Sequence, residues 1–282
     1  MSPTTAISLF CSSGIGDLAL RRLGIDVLVA NELVRERSDL FKNNFPTTHL
    51  IEGSIWEKRN EIINKTVELL KGRTLDFALV TPPCQGMSKN GRGKLLAEIR
   101  AGRRSKVDDR NMLIIPSLEI IKKLQPTTVV FENVPEMINT VIPFEDNLIG
   151  IVELIKLELS DWLVEAQIVE FADYGIPQKR QRLITVATKD ERLLNSFNTE
   201  GTLFPKATHS ANGCLFTEKW KTVRDVISDF EPLDALNKPK SEVNQLHYVP
   251  KLDKTKYFWV SNTPQGKSAF DNQCIECGCK KN

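Results

Sequence analysis

The residues best suited to chemistry are a thiol, a carboxylate and two guanidinium groups, and they fall in three short stretches. Cys84 follows the run Leu75-Asp76-Phe77-Ala78-Leu79-Val80-Thr81-Pro82-Pro83. An apolar run of that length reads as a buried strand, and the two prolines end its ladder and fix the chain direction. In an open α/β sheet the carboxyl ends of the strands are where ligands bind. A thiol held there on a stiff turn is a candidate nucleophile, although a lone cysteine is more often a small buried apolar residue. The second stretch, Thr128-Val129-Val130-Phe131-Glu132-Asn133-Val134, reads as another buried strand ending in polar residues. Run parallel to the first, it brings Glu132 to the edge that holds Cys84. The third stretch, Tyr174-Gly175-Ile176-Pro177-Gln178-Lys179-Arg180-Gln181-Arg182, carries two arginines at alternate positions, hence on one face of an extended segment.

The preceding chain supplies the frame. Ala6–Phe10 reads as a strand, Cys11-Ser12-Ser13-Gly14-Ile15-Gly16-Asp17 as a small-residue turn, and Leu18, Leu20 and Leu23 as the apolar positions of a helix closed by Gly24. Strand, glycine turn and helix open a Rossmann-like unit. The full dinucleotide fingerprint is absent, because Ala19 takes the third glycine position, and this argues against a nicotinamide cofactor. A second strand, Ile25–Ala30, ends in Asn31-Glu32; an acid there grips ribose hydroxyls, or else serves as a surface acid or helix cap. The pattern then predicts a polar helix over 35–44, a strand over 49–53 and an amphipathic helix over 55–71. Further helices are expected over 111–124 and 148–160, and the last two strands over 163–171 and 183–188.

Composition bounds the rest. The 282 residues are 41% hydrophobic and 26% charged, as in a water-soluble globular protein, with a net charge of only +2. Charge is unevenly placed: from Gln85 to Arg110 eight basic side chains face three acidic ones, among Gly86, Gly91, Gly93 and Gly102. Glycine hinges with positive charge suit a lid that closes on phosphates. No signal peptide or membrane-length apolar run is seen, and the cysteines have no disulfide spacing, so a cytoplasmic setting is expected. After Lys189 prolines and polar residues increase. A boundary there gives a region 1–188 and a smaller region 189–282, with a helix near 220–227 and a strand at Tyr257–Val260. Cys274-x-x-Cys277-x-Cys279 has the spacing of half a zinc ribbon, or is a set of free thiols.

Pro82-Pro83-Cys84-Gln85, Glu132-Asn133-Val134 and Gln178-x-Arg180-x-Arg182, in that order, resemble the signature motifs of the cytosine-5 DNA methyltransferases of restriction-modification type. The resemblance covers about residues 6–188. It implies an α/β, Rossmann-like S-adenosylmethionine-dependent fold, mostly parallel with an antiparallel last strand, acting on double-stranded DNA in a prokaryotic cytoplasm, with 1–188 as the catalytic S-adenosylmethionine-binding domain and 189–282 as a partial target-recognition region. By the same resemblance Cys84 is the nucleophile, Glu132 the group at the ring nitrogen, and Arg180, Arg182 and Gln178 the holders of the base or its phosphate. Gln85, Ser88 and Asn133 are then substrate contacts. Phe10, Cys11, Ser12, Ser13, Gly14, Ile15, Gly16, Asn31, Glu32, Ser54, Ile55, Pro82 and Leu113 line the cofactor site. Ser54 departs from the family, which has Asp near the adenine amine. Segments that complete the family core after the recognition region are not found, so a piece of a longer chain, a split enzyme with a second polypeptide and a naturally short form are the readings. An RNA methyltransferase and a non-catalytic binding subunit are the alternatives in function.

Overall fold

The computed structural model describes residues 4–83, 109–145, 147–264, 266–268 and 271. Its buried apolar runs become β1 (Thr4–Leu9), β2 (Ile25–Glu32), β3 (His49–Glu52), β4 (Phe77–Val80) and β5 (Thr128–Asn133). With β8 (Leu163–Glu170) and β9 (Gln181–Thr188) they form one sheet in the order β3-β2-β1-β4-β5-β9-β8. The first five are parallel, while β9 runs antiparallel to both β5 and β8. The α/β class and the mostly parallel sheet with its antiparallel last strand are as expected.

Helices cover the faces: α1 (Ile15–Arg22), α2 (Arg35–Asn44), α3 (Ile55–Leu70), α4 (Ile114–Leu124) and α5 (Ile151–Glu158). Their apolar positions recur at helical spacing. Ile55, Ile62 and Leu70 of α3, and Ile114, Leu118, Ile121 and Leu124 of α4, are buried, and the two helices pack together. Lys71 and Gln125 end α3 and α4 in the left-handed conformation, and Pro126 follows the second. At the amino edge Trp162 Nε1 donates to Pro126 O at 3.0 Å, and the Thr128 and Thr188 hydroxyls meet at 2.8 Å.

Three expectations change. The helix over 148–160 gives up its first turn: β7 (Asn147–Gly150) pairs antiparallel with β6 (Val141–Phe144), and α5 starts only at Ile151. The strand at Tyr257–Val260 is instead inside α8 (Lys254–Ser261), which Asp253 caps by accepting from Lys256 N at 2.8 Å. The helix near 220–227 is confined to α7 (Val223–Ile227), capped by Thr222.

The chain divides into compact units 1–221 and 222–282, later than the change of composition at Lys189. After β9 comes α6 (Glu191–Glu200), and the segment beyond it stays bound to the sheet. Thr202 Oγ1 and Leu203 N donate to the Glu165 carboxylate of β8 at 2.8 and 2.5 Å. A short parallel pair, β10 (His209–Ser210) with β11 (Glu218–Lys219), then packs near the 3₁₀ turn Phe171–Tyr174.

Phe41 and Phe45 stack at 4.8 Å between ring centroids, and Phe41 is fully buried. Phe41→Ala should lower the free energy of unfolding by about 3–5 kcal/mol. Urea unfolding checks this, and a loss below about 1 kcal/mol would show that the site collapses around the deletion.

Candidate active site at the carboxyl edge of the sheet

The carboxyl ends of β1, β2 and β4 are stitched to one another by the backbone. Thr81 N donates to Leu9 O at 3.2 Å, and Cys11 N to Asn31 O at 3.0 Å. The chain then turns through left-handed positions at Phe10 (φ 61°), Ser12 (φ 52°) and Gly14 (φ 88°) before α1 begins. Only glycine serves at residue 14. A Cβ built there would lie 2.2 Å from a carbon of the Phe45 ring. Ile15, at the start of α1, is exposed.

Glu32 ends β2 and is almost wholly buried, yet its carboxylate is satisfied. It accepts from Ser12 N at 2.8 Å, Leu33 N at 3.0 Å and Val34 N at 2.8 Å. Asn31 donates through Nδ2 to Ile51 O and Gly53 O, fastening β2 to β3. Gly53 N returns to Glu32 O at 2.9 Å, which places Ser54 and buried Ile55, at the head of α3, beside the acid. The sequence-predicted cofactor residues from Phe10 to Ile55 therefore surround one corner.

The other side of this edge is built by β5 and β9. The register pairs Glu132 with Ile184 and Asn133 with Leu183, so the carboxyl end of β5 meets the amino end of β9. Arg182 Nε reaches Glu132 Oε1 at 2.7 Å. Asn133 is buried. Its Nδ2 donates to Pro82 O at 3.2 Å, while its Oδ1 accepts from Val134 N at 2.8 Å. It thus fixes the backbone two residues before Cys84. Leu113 ends the 3₁₀ turn Asp109–Leu113, and its carbonyl accepts from Ser117 Oγ. Gln178 and Arg180 are exposed in the turn before β9. Cys84, Gln85, Ser88, Cys274, Cys277 and Cys279 lie outside the described residues. Among the described residues no cluster of three or more side chains could hold a metal ion.

Several working residues were not legible in the motifs. Glu170 accepts from Arg180 N at 2.7 Å and from Ala172 N, closing the base of the arginine turn. Asp17 is buried in the first turn of α1, where Ser8 Oγ donates to its Oδ2 at 3.2 Å and its Oδ1 has no partner among the described residues. Burial pushes its carboxyl up to about 6, against a smaller opposing effect of Ser8. Cys11 is also raised, first by burial and then by the charges of Asp17 and Glu32, so its thiol stays protonated and is no nucleophile. An acid at the head of a helix looks like an ordinary dipole complement; only the packing shows it buried.

The profile of the family of C-5 cytosine-specific DNA methylases matches residues 4–273. The chain belongs to this family. It is similar to the Type II methyltransferase M1.HgaI of Avibacterium volantium, 31% identical over 94% of this chain and 67% of that protein. It is also similar to the Type II methyltransferase M.AquIA of a Picosynechococcus strain, 30% identical over 80% of this chain and 88% of that one. A crystal structure of an E. coli prophage protein, named as a putative DNA modification methyltransferase, shares the fold (TM-score 0.56, 22% identity, 90% of this chain and 64% of that one).

S-adenosylmethionine carries hydroxyl and ammonium donors, and the corner between Phe10 and Ile55 offers a carboxylate that could accept from them. A buried carboxylate, Glu32, suits the vicinal hydroxyls of a ribose. Gly14 instead lets the Ser12–Gly16 turn pack against the Phe45 ring, which fixes the shape of that turn.

Asp17 makes a pH prediction. Its folded pKa of about 6 lies above the ordinary 3.8, so the folded state binds this proton more tightly than the unfolded one. The contribution is complete at low pH and lost as pH rises through about 6, leaving a penalty of up to roughly 3 kcal/mol at neutral pH. Asp17→Asn should raise stability at pH 8 and leave it little changed at pH 4. Urea midpoints for both proteins across that range test this; parallel curves would refute it.

Proposed function

We propose that this chain transfers a methyl group to carbon 5 of a cytosine flipped out of duplex DNA, through a covalent bond to Cys84, within a restriction-modification system. The observation that carries the reading is the Arg182–Glu132 pair at 2.7 Å, beside the Asn133 bond to Pro82. A carboxylate, a guanidinium and the backbone leading to Cys84 are gathered at one edge. The restriction-modification setting follows the relatives, which are named Type II methyltransferases.

Carbon 5 of cytosine is too weak a nucleophile to accept a methyl group unaided. Attack of the Cys84 thiolate on carbon 6 forms a carbon–sulfur bond and moves the ring electrons towards carbon 5. Glu132 holds the proton at ring N3 and accepts from the exocyclic amine, offsetting the charge that develops. Arg182 lies against that carboxylate and holds the pyrimidine oxygen, Arg180 takes the adjacent phosphate, and Gln178 adds a further contact. S-adenosylmethionine, when bound by the Phe10–Gly16 turn, Glu32 and Ser54, supplies the methyl group. Loss of the carbon 5 proton then expels the Cys84 sulfur and restores the ring. A stacked base cannot be reached by any of these groups, so the cytosine must leave the helix.

A duplex with 5-fluorocytosine in varied contexts tests the scheme, because fluorine at carbon 5 blocks the final proton loss. The full chain with labelled S-adenosylmethionine should give an adduct stable to denaturation, and Cys84→Ser should give none. Glu132→Gln should slow adduct formation by about 10²–10⁴. An adduct with Cys84→Ser would refute the nucleophile. No adduct from the wild type, with cofactor binding intact, would assign the missing step to a further polypeptide.

A further inference from the structure

The turn that carries Arg180 and Arg182 is braced by the segment that follows α6. Tyr174 OH donates to Pro205 O at 2.9 Å, and Thr208 N to Asp173 O at 3.0 Å. Trp220 Nε1 donates to Asp173 Oδ1 at 2.8 Å, and Lys179 Nζ lies 4.8 Å from the centroid of the Trp220 ring. The brace therefore grips the turn at Asp173 and Tyr174, where it begins, and at Lys179, just before the arginines. Between these grips stands His209, a residue that neither the sequence motifs nor the catalytic scheme uses.

His209 is buried, although its neighbours along the chain are exposed or half-buried. Its ring is held from two sides. Nδ1 meets Thr208 Oγ1 at 2.8 Å, and Nε2 lies 3.4 Å from the Glu218 carboxylate of β11. A third side of the ring presses on Gly175. A Cβ built on Gly175 would lie 2.8 Å from Cε1, 3.2 Å from Nε2 and 3.3 Å from Nδ1. Gly175 closes the 3₁₀ turn Phe171–Tyr174 at φ 81°, and its N–H is donated to Ala172 O at 3.2 Å. The chain thus leaves that turn in a left-handed conformation with the His209 ring as its wall. It then runs to Arg180, whose N–H is caught by Glu170 at 2.7 Å.

We propose that His209 is a positioning residue for Arg180 and Arg182. Its ring sets the direction in which the chain leaves Gly175, and so sets where the two guanidinium groups stand at the sheet edge. This rests on the preceding subsection, where those arginines hold the base and its phosphate. His209 is enclosed by Gly175, Thr208 and Glu218, so it acts through the backbone of the turn and not by touching substrate. These neighbours are a glycine of the turn and polar groups of the brace. Deleting the outer part of the ring therefore opens a gap against the turn. A misplacement of about 1 Å at a reacting group can cost about 10²-fold in rate, so a small gap is enough.

The test compares the full chain with His209→Asn, which keeps a polar atom for Thr208 but lacks the ring edge that faces Gly175. Trypsin is added to each folded protein, and cuts after Lys179, Arg180 and Arg182 are followed by mass spectrometry. Nicking there should be about tenfold faster in the variant, while cuts after exposed Lys71 and Arg73 keep their wild-type rate. The 5-fluorocytosine adduct is then timed at saturating duplex, per molecule that binds S-adenosylmethionine. Its rate should fall about 10²-fold, with duplex affinity within about threefold of wild type. Gly175→Ala should slow the wild type similarly and slow His209→Asn little further, because both changes act on one contact. Equal nicking of the turn would overturn the inference whatever the adduct assay gives. Faster nicking with an unchanged adduct rate would assign His209 to stability alone, overturning the inference and leaving the methylation reading standing. A wild type that forms no adduct and binds no S-adenosylmethionine would overturn both. If the wild type binds cofactor but forms no adduct, the nicking comparison alone decides.

Discussion

The site depends on one strand that runs the wrong way. A parallel sheet offers only the carboxyl ends of its strands at one edge, and β1, β4 and β5 do so here. By lying antiparallel between β5 and β8, β9 brings its first residues to that edge instead. The pairing of Asn133 with Leu183 then leaves Arg182 next to Glu132. A β9 parallel to β5 would carry Arg182 to the opposite end of the sheet. The arginine turn exists because the chain must travel from β8 into that reversed strand within a few residues. Glu170 and Phe171 close it across Arg180 with one carboxylate bond and one backbone bond.

The Glu132–Arg182 pair is partly exposed, with 33% and 19% of each side chain accessible. Ion pairs in such positions contribute little stability, about 0–1 kcal/mol. The contact is therefore easily exchanged. The pair holds the two side chains against each other at the edge. Asn133 behaves differently. It is buried and satisfied by two backbone partners, so replacing it would leave the Pro82 carbonyl and the Val134 N–H without their partners. One residue is built for exchange and its neighbour for permanence.

Much of this was legible in the sequence. Apolar runs of strand length marked β1, β4 and β5, and the motif residues that the structure describes fall at their ends or in the turn before β9. What could not be read depends on neighbours far along the chain. Tyr257-Phe258-Trp259-Val260 has strand composition, but β-propensity expresses packing on a pleated surface. Here Asp253 caps a helix, and Tyr257 OH finds Asp234. Leu148–Gly150 continue a helical pattern, but the reversal at Glu145 (φ 51°) folds them back on β6. The compact unit runs past the change of composition at Lys189, since the bonds of Thr202, Leu203, Thr208 and Trp220 into β8 and the arginine turn leave no mark in composition.

The cofactor corner shows why a burial that disfavours folding can be kept. Asp17 and Glu32 both act on Cys11, so the turn between β1 and α1 lies in a negative field of low polarity. Left-handed Phe10 and Ser12 add about 1–2 kcal/mol of strain each. None of this stabilises the fold. A buried charge of this kind suits a cationic ligand, because it need not be reorganised when one arrives. Glu32 lends its carboxylate to Ser12 N and so ties the turn to β2. The two acids divide the task. Glu32 is hydrogen-bonded and holds the backbone, while Asp17 is under-bonded and supplies field, and the turn they bracket is fixed before any ligand binds.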